Sequence, residues 1–357
     1  MTSPIATAPA SVAGVATAVN HRIAQALDAD AARWTTLDTD LGVPLGALRT
    51  LVLAGGKRLR PAFCYWAFVG AGGDPSSSMV IDAGAALELL HVFALIHDDV
   101  MDGSCRRHGQ ETLHRRFARL HSVAGWQGTS EAFGQGVAVL MGDLAHVYAD
   151  LLMAGAPAPA FGVFNELRLE VIVGQYLDLL GGATRSADPG LARRICQYKT
   201  GKYTVERPLH LGAALASPWQ LAELAEPLSA YGLPLGEAFQ LKDDLLGCFG
   251  DPLVTGKPVG DDLRDGKPTM LMALARGAAS GAGLEMLEAR HGAPDLSAAE
   301  VADMLAVIEA SGARRRLEAV VEGLVADAVE AAAALPLDEP ARAALTDMAH
   351  YVAGRDH

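Results

Sequence analysis

The stretch AGAALELLHVFALIHDDVMD, residues 83–102, is apolar nearly all the way round before it ends in Asp98, Asp99 and Asp102. A helix with one apolar stripe lies on a core, whereas a helix apolar on every side has to be enclosed by other elements. The chain around it reads as helices. Hydrophobic residues make up 50% of the sequence and aromatics only 6%, which suits closely packed helices. No run alternates as a half-buried strand does. Turn signals break the pattern at GVPLG (42–46), AGGDPSSS (71–78), AGAPAPAFG (154–162), SADPG (186–190) and ASPWQ (216–220). Ser297 with Glu300 three residues on is a capping-box signature. The expected fold is all-α: a single large helical bundle of about a dozen helices, with the acid end of its core helix opening onto a cavity. Residues 1–15, rich in Ala, Ser, Thr and Pro, read as a flexible tail, and 16–357 as one all-α domain.

The net charge of −13 argues against nucleic acid as a partner. Any anionic ligand must therefore meet locally concentrated cations. Cys64, Cys105, Cys196 and Cys248 are scattered with no CxxC spacing. That pattern suits neither zinc nor a disulfide framework and fits a reducing compartment. The N-terminus has no basic segment before its mildly apolar stretch, so no signal peptide is read there. Nor is any segment read as about 18 uncharged, strongly apolar residues, so no transmembrane helix is expected and the cytoplasm is the expected location.

On a helix, Asp98 and Asp102 lie one turn apart on one face and repel. Hard divalent cations with oxygen ligands relieve such repulsion; Mg²⁺ takes one or two carboxylates together with phosphate oxygens. A second helix, GEAFQLKDDLLGCFGDP (236–252), puts Gln240, Asp243, Asp244 and Gly247 on one face. Two such acid pairs facing each other would clamp metal ions around one diphosphate. Cations gather in LAGGKRLRPAF (53–63), with Gly55, Gly56, Lys57, Arg58 and Arg60 ahead of a helix start, a setting that suits an anion. Further cations are Arg106, Arg107 and His108 just after the first acids, and Lys199, Lys257 and Lys267 near expected helix ends. The pattern describes two anion sites side by side, one metal-bound and one held directly by Lys and Arg.

From about Leu45 to Leu274 the chain resembles the trans-isoprenyl diphosphate synthases, also called the polyprenyl synthetase family. The motifs, in the family order, are GGKRLRP (55–61), LIHDDVMD (95–102), GD (142–143), GQYLD (174–178), KT (199–200), FQLKDD (239–244), GD (250–251), TGK (255–257) and GKPT (266–269). The resemblance implies the isoprenoid synthase type of bundle and a Mg²⁺-dependent, 1′-4 trans condensation of isopentenyl diphosphate with dimethylallyl, geranyl or farnesyl diphosphate. It implies about three Mg²⁺ per active site, with Mn²⁺ as a substitute, and a homodimer. By position, Asp98, Asp99 and Asp102 correspond to the first aspartate-rich motif, and Asp243 and Asp244 to the second. Lys57, Arg60 and His91 correspond to the isopentenyl diphosphate site. Arg107, Lys199, Thr200, Gln240, Lys257 and Lys267 correspond to contacts with the allylic diphosphate. His91, seven residues before Asp98, shares its helix face.

The sequence departs from the family pattern in two places. The family shows Arg-Arg-Gly after the first acids, where this chain has Arg107-His108-Gly109; His108 replaces an arginine that grips isopentenyl diphosphate, and Arg106 could stand in by a one-residue shift. Gly247 stands where the second motif has its last aspartate. The implied chemistry is ionisation of the allylic diphosphate, addition of the double bond and loss of a proton, with the leaving pyrophosphate stabilised by cations. Phe93, five residues before Asp98, lies about 7.5 Å down the helix axis, and Ala94 beside it is small. An aromatic at the fifth position only, with no two-residue insertion in the first motif, is similar to the geranylgeranyl diphosphate synthases and points to a C20 product. Farnesyl diphosphate and longer polyprenyl diphosphates are the alternatives for product. A terpene cyclase and a non-catalytic subunit of a heteromeric synthase are the alternatives for function. The isopentenyl diphosphate motif and the two intact acid pairs argue against those last two.

Overall fold

A computed structural model describes residues 9–107, 109–251, 259–293 and 295–354. The fold is all-α, 82% helical. The first helices are α1 (Ala10–Leu37), α2 (Gly42–Leu53), α3 (Leu59–Gly70) and α4 (Ser78–Met101). They are followed by α5 (Leu113–Ala124), α6 (Ser130–Met153), α7 (Ala158–Ala183) and α8 (Pro189–Ile195). A π-helix, Cys196–Glu206, runs directly into α9 (Arg207–Ala216), and α10 spans Leu221–Phe249. The last third holds the short α11 (Asp261–Arg264), then α12 (Met270–Ala278), α13 (Gly281–Arg290), α14 (Ala298–Ala310), α15 (Ala313–Ala334) and α16 (Glu339–Gly354). The expected capping box forms: Ser297 Oγ accepts from Glu300 N, and the Glu300 carboxylate accepts from Ser297 N.

The structure departs from the sequence reading at the N-terminus and just after the first acids. Helix begins at Ala10, inside the stretch read as tail, because Val12 and Val15 are buried against the bundle and tertiary contact outweighs weak local propensity. The described residues also contain one strand pair, an antiparallel hairpin that sets Arg106 opposite Glu111 and Arg107 opposite Gln110. It lies directly after the first acids and aims Arg107 back at them.

The central helix is α4. Ser77 Oγ caps it by accepting from Met79 N. It packs on α6, α3 and α1, and Leu87, Leu89, Leu90 and Ile96 are fully enclosed. By length and composition α4 and α6 are each apolar enough to cross a membrane, more than the sequence reading allowed. In α4, 61% of that apolar window is buried inside the protein, so its apolar surface serves the protein's own core. In α6 the figure is 33%, and Leu140, Val147 and Leu151 are exposed.

Glu88 is the one carboxylate in the apolar middle of α4, and it is paired with Arg58. Both side chains are buried. Arg58 also donates from Nη2 to the Val52 carbonyl (2.5 Å) and from Nε to Asn20 (2.9 Å). The glycine loop thus turns Arg58 inward, with Arg58 itself in the left-handed region at φ 50°. It is a structural residue, not part of the anion-binding set its neighbours suggest. Removing one partner of such a pair strands a buried charge. Glu88→Ala should lower the unfolding free energy by about 3–5 kcal/mol, read from urea denaturation.

Candidate active site

The acids at the end of α4 are closed over by cations from three distant segments. Arg107 donates to Asp99 Oδ1 from Nη2 (2.6 Å) and Nε (2.9 Å), and its Nη2 also reaches Asp98 Oδ2 (3.2 Å). Lys199 Nζ lies 3.0 Å from Asp98 Oδ1 and 2.5 Å from Asp178 Oδ2. Lys267 Nζ lies 3.2 Å from Asp102 Oδ2. Burial alone would push the Asp98 carboxyl up, but Lys199, Lys267 and Arg107 hold it well below the usual carboxylate range. The same pairing outweighs the burial of the cations: Lys199, Lys267 and Arg107 are all held above their ordinary values.

Two further polar residues meet Asp98 and Lys199, and sequence reasoning gave them no role. Gln175 Nε2 donates to Asp98 Oδ1 (2.9 Å), and Asp178 is the second carboxylate on Lys199. Both belong to GQYLD. Their i, i+3 spacing on α7 was the available signal.

Lys199 and Thr200 lie on the π-helix, a wide turn that occurs mostly as short bulges at functional sites. The two residues serve different acid groups. Lys199 faces Asp98 and Asp178, while Thr200 Oγ1 donates to Gln240 Oε1 (2.5 Å), whose Nε2 donates to Asp244 Oδ1 (2.8 Å). One dipeptide therefore joins the helix ends that carry the first and second acid groups. Gly174 on α7 makes this possible, because a Cβ there would lie 2.3 Å from the Lys199 backbone nitrogen.

In the second acid group, Asp244 meets a different balance. Asp244 is buried, and its carboxyl is pushed up to about 8, first by burial and then by Asp262 and Asp243, against the hydrogen bond from Gln240. That is the charge balance a hard divalent cation would correct. The donors are carboxylate oxygens, which suit Mg²⁺ rather than a soft metal. Among the described residues no three side chains already enclose a metal.

The second anion set lies along α3 and α4. Arg60 stacks on the Tyr203 ring (4.3 Å) and donates from Nη2 to Thr204 Oγ1 (3.0 Å). His91 Nδ1 is 2.5 Å from the Tyr203 hydroxyl. Tyr203, unforeseen in the sequence, thus brings Arg60 and His91 together; burial pushes its phenol up, so it stays protonated. Arg60 Nε is buried with no hydrogen-bond partner among the described residues, an N–H that a bound anion can satisfy. Lys57 Nζ lies 6.0 Å from the Tyr351 ring centroid on α16. Arg106 donates to the Gly109 carbonyl (2.5 Å) at the exposed hairpin and does not join the acids. His108 and Lys257 lie outside the described residues.

Below the acids, Phe93 is half-buried and stacks on His146 of α6 (centroids 4.8 Å, 22°) with the His97 ring edge-on (4.6 Å). His146 Nε2 is 3.1 Å from Arg168 Nη1, and that guanidinium group is anchored by Asp150 at 2.6 Å. Ala94 is half-buried beside Phe93.

The shift of Asp244 sets a sign for stability against pH. An unfolded aspartate gives up its proton near 3.8, whereas the folded one keeps it to about 8. Between those values rising pH favours the unfolded chain, so this residue makes stability fall from about pH 4 to about pH 8 without metal. Asp244→Asn should flatten that decline in metal-free buffer, measured as urea midpoints across the range.

Comparison with known proteins identifies the family. Residues 45–308 match the polyprenyl synthetase family model. A (2E,6E)-farnesyl diphosphate synthase of Mycobacterium tuberculosis is 32% identical over 307 residues, 84% of this chain and 80% of the relative. A geranylgeranyl diphosphate synthase of the same organism is 34% identical over 264 residues, 72% of this chain and 69% of the relative. Among solved structures, geranylgeranyl pyrophosphate synthase from Corynebacterium glutamicum, complexed with isoprenyl diphosphate and magnesium, superposes with a TM-score of 0.90 at 36% identity, covering 96% of this chain and 99% of that one. The family uses a divalent metal and joins isopentenyl diphosphate to allylic diphosphates. The chain belongs to the polyprenyl synthetase family, the trans-prenyl diphosphate synthases of short to medium chain length.

Proposed function

We propose that the chain condenses isopentenyl diphosphate with dimethylallyl, geranyl and farnesyl diphosphates and ends at C20, geranylgeranyl diphosphate. The observation that carries the reading is the Lys199–Thr200 bridge, which joins the two acid groups and supports reading them, with their cations, as one allylic-diphosphate site. Bound Mg²⁺ supplies the charge neutralisation that lets pyrophosphate leave. The chain's own residues do the rest. Arg107, Lys199 and Lys267 turn from the carboxylates to the diphosphate, where their fixed positive charge favours the departing group. Arg60 and His91, both anchored on Tyr203, hold isopentenyl diphosphate with Lys57. A single helical domain that begins with α1 at Ala10 carries both substrate sites.

The product tail runs down α4 toward Phe93. The Phe93 ring is braced by His146, and His146 in turn by Arg168 and Asp150. An apolar tail that passed the ring would have to desolvate that polar group, which is costly. This supports a floor at Phe93 against longer products, while C20 over C15 rests on the small Ala94 beside it and the first motif without an insertion. The exposed apolar faces of α6 and α7, with Leu140, Val147 and Leu151 on one and Ile172, Val173 and Tyr176 on the other, support a homodimer in which a second copy covers them.

Pure protein incubated with Mg²⁺, isopentenyl diphosphate and each primer should yield mainly the C20 alcohol after dephosphorylation. A C15 or longer product would keep the reaction and remove C20; no elongation would remove the reaction. Phe93→Ala should shift chromatographed products to longer chains, and an unchanged product would remove Phe93 as the floor. Gly174→Ala should displace the Lys199 backbone and reduce kcat/KM by on the order of 10²-fold, while circular dichroism shows the helix content retained.

A further inference from the structure

Lys267 stands on a short connection between the four-residue α11 and α12, outside any helix. Within that connection Lys267 N donates to the Asp262 carbonyl (3.0 Å) and Thr269 N to the Lys267 carbonyl (2.8 Å). From there its ammonium reaches Asp102 at the end of α4 (3.2 Å). A second loop, between α13 and α14, lies against this stretch. Gly292 N donates to the Leu263 carbonyl (2.9 Å). Gly292 and Gly266, the residue before Lys267, pack backbone on backbone. A Cβ on Gly292 would lie 3.0 Å from Gly266 Cα, and one on Gly266 would lie 2.9 Å from Gly292 Cα. Both residues are left-handed, at φ 71° and 67°, which favours glycine.

The second loop has its own anchors. Arg290 at its start is 2.8 Å from Glu300 of the α14 capping box and 3.1 Å from Asp295. His291 is buried, only 2% exposed, and its Nδ1 lies 3.1 Å from Arg276 Nη2 on α12. An imidazole nitrogen that accepts from a guanidinium is unprotonated. Burial first, then Arg276 and Arg185, hold the His291 pKa down to about 4 against the pull of the Lys267 main chain beside it. His291 thus ties the loop to α12, which follows Lys267, while Gly292 packs against the residue that precedes it. None of these contacts involves the two acid groups. We propose that Gly292 and His291 are positioning residues for Lys267: the loop after α13 fixes the main chain on both sides of Lys267 and so sets how far its ammonium reaches over the allylic-diphosphate site. The inference rests on the function proposed above.

Steady-state kinetics, with geranyl diphosphate and isopentenyl diphosphate varied in turn, test it. Gly292→Ala should raise KM for geranyl diphosphate about 10-fold, as a small misplacement of a binding group does, and leave KM for isopentenyl diphosphate unchanged. Combined with Lys267→Ala, it should add nothing to the loss of geranyl diphosphate affinity, read by calorimetry in Mg²⁺ without isopentenyl diphosphate, because the cation it positions is gone. His291→Leu should show the same split between the two KM values. His291→Asn, whose Oδ1 can accept from Arg276, should recover most of it. Fully additive losses in the Gly292→Ala, Lys267→Ala double variant would overturn the proposal, since Gly292 would then act by another route. So would an unchanged KM for geranyl diphosphate, or an equal rise in both KM values, which a general loosening of the fold would give. Should Gly292→Ala not fold by circular dichroism, the two His291 variants decide, and His291→Asn as impaired as His291→Leu would overturn the proposal. If the wild type joined no primer to isopentenyl diphosphate, the function proposed above would fall and this inference with it; wild-type condensation with additive variants would remove this inference alone.

Discussion

The ammonium of Lys199 between Asp98 and Asp178 is the interaction on which the rest of the site depends. Asp98 and Asp99 are buried at the end of a helix enclosed by apolar side chains, where unpaired carboxylates would be costly. Arg107, Lys199 and Lys267 meet that cost from three different parts of the chain, and in doing so they draw a hairpin, a π-helix and the segment before α12 onto the end of α4. The pairing serves two purposes. It offsets the buried carboxylates, and on the function proposed above it holds the cations where a diphosphate would take them over.

The π-helix converts that pairing into one site. In the wide turn Lys199 serves α4 and α7 while Thr200 serves α10 through Gln240. The backbone of Lys199 fits there because Gly174 offers no side chain.

Much of this was legible in the sequence because acids at the end of an apolar helix are a local pattern. The enclosed helix 83–102, its acid end, the second acid pair and the capping box at Ser297 follow from periodicity and spacing, and the ordered motifs supply the family. What was not legible depends on contacts between distant segments. Nothing near Arg58 shows that it turns inward to Glu88, whereas Arg60 two residues on faces Tyr203. Gln175 and Asp178 stand in a quoted motif, but their purpose depends on Lys199 arriving from the π-helix. The start of α1 at Ala10 follows from burial of Val12 and Val15, which low-complexity composition concealed.

The measurement that tests this account most directly is a crystal structure determined with Mg²⁺ and inorganic pyrophosphate. The account predicts that the Asp98 and Asp99 carboxylates turn to the metal while Arg107 and Lys199 transfer their hydrogen bonds to diphosphate oxygens. Pyrophosphate bound elsewhere, with Lys199 still held between Asp98 and Asp178, would contradict it.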